Sequence, residues 1–274
     1  MVRDPIHRRT LGSGLPLTAQ LAALFGGVAT DYKTTSDGPW RIIHDVDCAA
    51  LDAQDLTSGD GLHTLSDGSP LYLYDSATLH DAHVVNGSGI ELERRATGIS
   101  RWGLRVDDAA DVGRRLLFVQ EVVFTGGQNN DRVFLTACET YASPYSNSLE
   151  TVTQYTGGTN YNALAQMYNG GWTTPVGVTI GSAHGLSYQH ALSLRHDTAR
   201  VYQKQASGEV TDLSTLTELK QAWLVARSGV IAPPTNAPWS TGLWLRGQFQ
   251  TYGATASTVT IKRLTVLESL ESAT

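Results

Sequence analysis

The sequence predicts an all-β protein, an antiparallel two-sheet β-sandwich of the jelly-roll kind, with one short helix near its N-terminus. Three observations point there. From Trp40 onward apolar and polar residues alternate in short runs, the period-2 pattern of strands with one buried face. Clusters of Gly, Asp, Asn and Ser break these runs at intervals of roughly 8–12 residues, the spacing of a sandwich or barrel. The 274 residues include 27 Gly and 31 Thr, which supply turns and half-exposed pleated surface.

Residues 1–38 differ from the remainder. Thr18 can cap a helix in which Leu21, Leu24 and Phe25 share a face, and Gly26 can end it. About two turns of helix cannot stand alone in water and must dock on something. The segment is read as either a lid on the sandwich or an attachment peptide for a larger assembly, and residues 39–274 as the sandwich domain.

Within that domain, residues 41–47 form a first strand, and 58–61 and 66–70 are turn clusters. Leu71 to Tyr74 and Ile90 to Glu93 alternate, and Trp102, Leu104 and Val106 share one face of the next strand. Arg114 to Thr125 is a nearly continuous apolar run ending at Gly126-Gly127. With Arg132 to Cys138 it is expected to form a central antiparallel pair covered on both faces. Residues 141–187, rich in Tyr, Asn, Gly and Thr, suggest long loops. A strand over 188–195 precedes a hairpin built from 199–204 around Ser207-Gly208. Leu219 to Arg227 leans to strand, 231–238 is a proline-rich loop, and 241–252 is a further strand. In the last strand, 257–268, Val259 and Ile261 have one phase and Leu264 and Val266 the other. Only an extra residue near Lys262-Arg263, a β-bulge, lets all four face one core. About eleven to thirteen strands result.

A net charge of −6 argues against a phosphate-backbone partner, so no nucleic acid is expected. No run reaches the ~20 apolar residues of a membrane helix, and no secretory leader is evident. Cys48 and Cys138 are expected to be buried thiols. Nucleophile elbows and phosphate-cradling loops are absent. The pairs His80/His83 and His44/Asp47 are three residues apart, opposite faces of a strand, so neither a metal nor another cofactor is expected. Three carboxylates are candidate acids. Glu91 and Glu93 share a strand face, though the following Arg94-Arg95 suggests salt-bridged surface charges. Glu121 lies within an apolar strand, where burial would raise its pKa unless an arginine pairs with it. The candidate ligand-binding residues are Tyr155, Tyr161, Tyr168 and Trp172, rings in a Gly/Asn-rich stretch that could stack on sugar faces or cover an interface.

Residues 190–268 resemble the concanavalin A-like and laminin G-like jelly rolls. Leu192 to Asp197 leads into Ala199 to Lys204 and the Ser207-Gly208-Glu209 turn. Trp239 to Trp244 is similar to their late Gly-bearing strand, and Val259 to Leu267 to the closing strand beside the first. Such domains occur in phage tail fibres and capsid decorations, in lectins and in polysaccharide hydrolases, so fold alone leaves function open. The resemblance implies a non-enzymatic bacteriophage virion protein, a tail-fibre or surface component. It would be made without a signal peptide, docked to other virion proteins through 1–38, trimeric, and in contact with a host surface glycan. Two alternatives stand beside it: a sandwich-fold glycoside hydrolase or lyase acting on polysaccharide, and an intracellular carbohydrate-binding module.

Overall fold

The computed structural model describes residues 32–35, 38–57, 60–74, 79–106, 116–138, 148–155, 161–168, 176–179, 185–194, 199–204, 217–218 and 243–269. The expected helix of 18–25, the Ser207-Gly208 turn, the strand at 219–227 and the proline-rich loop lie outside these residues.

The described strands are β1 (Tyr32–Thr35), β2 (Gly38–Asp47), β3 (Gln54–Asp55), β4 (Gly61–Thr64), β5 (Pro70–Tyr74), β6 (Asp81–Val85), β7 (Gly89–Arg94), β8 (Gly98–Val106) and β9 (Leu116–Thr125). They continue with β10 (Arg132–Cys138), β11 (Ser148–Tyr155), β12 (Tyr161–Tyr168), β13 (Val176–Thr179), β14 (Ser187–Leu194), β15 (Ala199–Lys204), β16 (Thr217–Glu218), β17 (Leu243–Thr251) and β18 (Ser257–Ser269). A 3-10 turn at Cys48–Ala50 follows β2.

Two antiparallel sheets hold them. Sheet A runs β16-β15-β14-β9-β18-β7-β6-β3, with β2 also paired to β18 and β1 to β2. Sheet B runs β13-β12-β11-β10-β17-β8-β5-β4. The predicted jelly-roll sandwich is therefore the fold. Between the sheets lies one core that includes Leu71, Leu73, Leu92, Trp102, Leu104, Phe118, Phe124, Leu135, Leu245, Phe249, Val259 and Ile261. Phe124 from sheet A meets Phe249 from sheet B edge to face, with ring centroids 6.1 Å apart. Trp102 is fully buried because its neighbour across the strands is Gly247. A Cβ there would stand 2.0 Å from the indole ring.

The bulge occurs where the apolar phases demand it. Ile261 pairs with Val122 and Arg263 with Glu121, so Lys262 is the extra residue. Val259, Ile261, Leu264 and Val266 consequently all reach the core.

Four expectations need correction. β9 and β10 do not pair: β9 hydrogen-bonds β14 and β18 in sheet A, and β10 hydrogen-bonds β11 and β17 in sheet B. The turn between them crosses from one layer to the other. Asp131 holds that crossing, accepting from the Gly127 and Gln128 amides at 3.1 and 2.9 Å, from Ser257 Oγ, and from the Tyr252 amide at 2.9 Å. The stretch 141–187 contains β11, β12, β13 and the start of β14, not only loops. β15 takes as its hairpin-side partner β16, Thr217 and Glu218, instead of residues just after Gly208. Arg94, expected as surface charge, is buried, donating from Nε to Thr251 Oγ1 at 3.1 Å and from Nη1 to Ser100 Oγ at 2.5 Å.

Both faces of β9 are covered, as its apolar run predicts. On its outer side Leu117 and Val119 join Ala191, Leu267 and Ile42 in a second small cluster. Cys48 is a buried free thiol, and burial pushes its pKa up. The side chain of Cys138 lies outside the described ones.

Candidate functional site

Alternation along each strand of sheet B sends one phase to the core and the other to the outer face. Leu73, Trp102 and Leu104 take the core; Tyr72, Tyr74, Arg101, Gly103 and Arg105 take the other side. On β17, Leu245 and Phe249 go inward, whereas Trp244, Arg246 and Gln248 go outward. The register assembles these into rows: Tyr74–Arg101–Gln248, then Tyr72–Gly103–Arg246, then Arg105–Trp244.

Gly103 shapes the middle of this grid. β5 and β17 flank β8, so they are about 10 Å apart, two interstrand spacings. The Tyr72 and Trp244 rings nevertheless meet edge to face, with centroids 4.8 Å apart and planes at 89°. They can do so because Gly103 places no side chain between them. The Arg105 guanidinium lies 5.9 Å from the Trp244 ring centroid, and on the neighbouring row that of Arg101 lies 5.4 Å from the Tyr74 centroid. Arg101 Nε also donates to Gln248 Oε1 at 3.1 Å. Farther along, Arg132 donates to Gln154 Oε1 at 3.0 Å and lies 5.6 Å from the Tyr252 ring centroid. Arg105 is exposed and Tyr72, Tyr74 and Trp244 are half-buried, while Arg101, Arg246 and Gln248 are buried. The arrangement is an aromatic step with guanidinium and amide groups beside it, suited to a flat, hydroxyl-rich ligand.

The carboxylates singled out from the sequence are elsewhere. Glu91, Glu93 and Glu121 all occupy the outer face of sheet A. Glu91 accepts from Ser88 Oγ at 2.6 Å, with His83 Nε2 at 3.8 Å, and Glu93 is bonded to Arg95. Glu121 accepts from Ser187 Oγ at 2.6 Å and stands opposite Arg263 in the register. β18 separates Glu121 from the β7 pair, roughly 10 Å, so Glu121 forms no ~5 Å retaining pair with Glu91 or Glu93. Arg263 itself is held by Asp45 at 2.9 and 2.8 Å. Among the described residues no cluster of His, Cys, Asp and Glu is fit to hold a metal.

The aromatics singled out from the sequence are on strands. Tyr155 ends β11, opposite Tyr161, and its half-buried side chain packs against the core. Tyr161 and Tyr168 are the two ends of β12. Trp172 is outside the described residues. The grid around Gly103 was missed by sequence reasoning. The signal was present in the Tyr, Arg and Trp that fill the non-core phase of three strands, but nothing local shows that these strands are neighbours.

His190 is a buried polar group between the sheets. His190 Nε2 is 2.7 Å from Thr153 Oγ1, and Nδ1 is 3.3 Å from Gln120 Nε2, which also donates to Phe134 O at 3.0 Å. Because the amide must donate to that carbonyl, Nδ1 is the acceptor and Nε2 carries the proton. Burial lowers the His190 pKa to about 3, so the imidazole is neutral.

No family model and no curated protein matches the chain. Solved structures do resemble it. A laminarinase from Rhodothermus marinus is 12% identical, with 85% of this chain and 98% of that one covered, at a TM-score of 0.51. The catalytic domain of an endo-1,3-beta-glucanase (laminarinase) from Thermotoga petrophila RKU-1 is 10% identical, covering 85% and 99%, at 0.48. Peanut lectin is 10% identical, covering 82% and 96%, at 0.45. At these identities the likeness is one of fold, a jelly-roll sandwich. It also corrects the reading taken from the resemblance to phage proteins. The match spans nearly the whole of a laminarinase, an enzyme, and this overturns the expectation of a non-enzymatic virion structural protein. The expectation that the chain is no enzyme gives way with it.

Proposed function

We propose that the chain is a carbohydrate-active enzyme, a sandwich-fold hydrolase or lyase that lays a polysaccharide across the β5–β8–β17 part of the outer face of sheet B. The observation that carries this is the Tyr72–Trp244 ring pair over Gly103, half-exposed and flanked by guanidinium groups. Aromatic planes take sugar rings by apolar contact, while the exposed Arg105 guanidinium supplies donors to hydroxyl oxygens. The laminarinase-like fold supports the reading. Glu150, opposite Thr136 in the register, is the one carboxylate among the described strands of sheet B, which makes it the first acid or base to test.

The test incubates the full chain with a panel of neutral and acidic polysaccharides and counts new chain ends. Turnover of at least one is expected, falling at least tenfold in Trp244→Ala and persisting in Glu121→Gln. A folded protein that cleaves nothing on the panel refutes the proposal.

A further inference from the structure

Resting on that reading, we infer that the glycan crosses the strands of sheet B and runs out over the β4 edge, where Leu62 is a second sugar contact that selects chains longer than the ring pair alone can hold. The register sets Leu62 opposite Tyr72, and Tyr72 opposite Gly103. Leu71 and Leu73 take the core phase of β5, so Leu62 and Tyr72 share the outer face. Directly opposed side chains on one face are about 5 Å apart at Cβ. Leu62 therefore continues the apolar surface of the Tyr72–Trp244 pair toward the edge of the sheet.

Exposure tells the two directions apart. Leu62 is 57% exposed, more than any other large apolar side chain among the described residues. Tyr72 and Trp244 are half-buried. Farther along the same row Gly103 faces Arg246, and Arg246 faces Thr136, buried to 1% and 0%. The outer face is thus open from the ring pair to β4 and closed toward β10. Glu150 comes next in this row, so Leu62 holds the part of the chain farthest from it.

Edge strands commonly carry charge or proline, and a bare leucine there is a hazard unless something covers it. A second copy pairing along β4 would use backbone groups in the plane of the sheet, whereas Leu62 stands perpendicular to that plane, beside the rings. The continuity of the leucine with the ring pair favours one occupant for both. From β4 to β17 is three interstrand spacings, about 14 Å, too long for a single sugar ring. The ligand is therefore a chain of at least two consecutive sugars, one with its C–H face on the ring pair and another on Leu62.

The experiment titrates the full chain by calorimetry with β-1,3-glucan, β-1,4-xylan and polyuronate oligosaccharides, each as a disaccharide and as a hexasaccharide. The wild type is expected to bind at least one hexasaccharide more tightly than its disaccharide. Leu62 is exposed, so Leu62→Ser keeps the fold, which circular dichroism checks. The variant should bind that hexasaccharide about fivefold more weakly, the scale of one partly covered leucine, and the disaccharide as before. Hexasaccharide binding untouched by Leu62→Ser, equal weakening of both lengths, or equal wild-type affinity for both overturns the inference and leaves the glycan-active reading standing. A wild-type dimer in light scattering that Leu62→Ser splits does the same, since it puts a second copy on this edge. A folded wild type that binds none of the oligosaccharides removes both.

Discussion

Acid should weaken this sandwich, and His190 carries a part of that effect that can be isolated. The imidazole is buried between the sheets and kept neutral down to about pH 3, against an ordinary value of 6.5. Its folded pKa is thus lowered, so between these values the unfolded chain binds a proton that the folded chain refuses. The stability contributed by the neutral ring is complete above about pH 6.5 and is lost as the pH falls toward 3. Each pH unit well inside the window costs about 1.4 kcal/mol, so the loss at pH 5 is about 2 kcal/mol. Urea unfolding at several pH values measures it, with His190→Gln as the reference that does not titrate. The wild-type curve is expected to fall relative to the variant's by that amount between pH 7.5 and 5. Should His190→Gln not fold, the His190 imidazole carbon shift followed by NMR is expected to stay at its neutral position down to pH 4.5. Parallel stability curves, or a titration of that signal near pH 6.5, would refute the reasoning.

Three further outcomes follow from packing and hydrogen bonding. Gly247→Ala drives a Cβ to 2.0 Å from the Trp102 ring, and overpacking of this kind should cost at least about 2 kcal/mol in urea unfolding. Asp131→Ala strands the Gly127, Gln128 and Tyr252 amides together with Ser257 Oγ, and a loss of about 4 kcal/mol is expected by the same measurement. Deleting Lys262 removes the bulge but keeps Val259, Ile261, Leu264 and Val266 on the core face, because Ile261 and Arg263 already pair with the adjacent Val122 and Glu121, so that chain should still unfold cooperatively; deleting Lys262 and Arg263 together swaps the phase of residues 264–268, turns Leu264 and Val266 outward, and should abolish the cooperative transition. Lys262→Ala keeps the register and should stay within about 1 kcal/mol of wild type in thermal or urea unfolding.

These residues also show what was legible in the sequence. The bulge could be read because Val259/Ile261 and Leu264/Val266 conflict within a single strand, and strand periodicity is strict. The inward residues of β5, β7, β8 and β17 could be read for the same reason. The β9–β10 relation could not. Gly126-Gly127 and Asn130 declare a turn, but turn chemistry is alike whether the next strand pairs alongside or crosses to the facing sheet. Here Asp131, joined to Ser257 and Tyr252 far along the chain, ties the crossing in place. The site was hidden for a related reason. Tyr72, Arg101, Arg105 and Trp244 occupy polar phases of strands far apart in sequence, and only the order β17-β8-β5 brings them together. Glu91 and Glu93 stand out in the sequence by sharing a strand face, and Glu121 by lying within an apolar strand. The structure shows them on the other outer face, engaged with Ser88, Arg95 and Ser187.

The most direct test of the functional account is a crystal structure of the full chain grown with an oligosaccharide that it binds. The account predicts a sugar ring resting on the Tyr72 and Trp244 rings, with a hydroxyl or charged substituent within hydrogen-bond distance of Arg105. Sugar density on the outer face of sheet A, beside Glu91 or Glu121, with the Gly103 step empty, would contradict it.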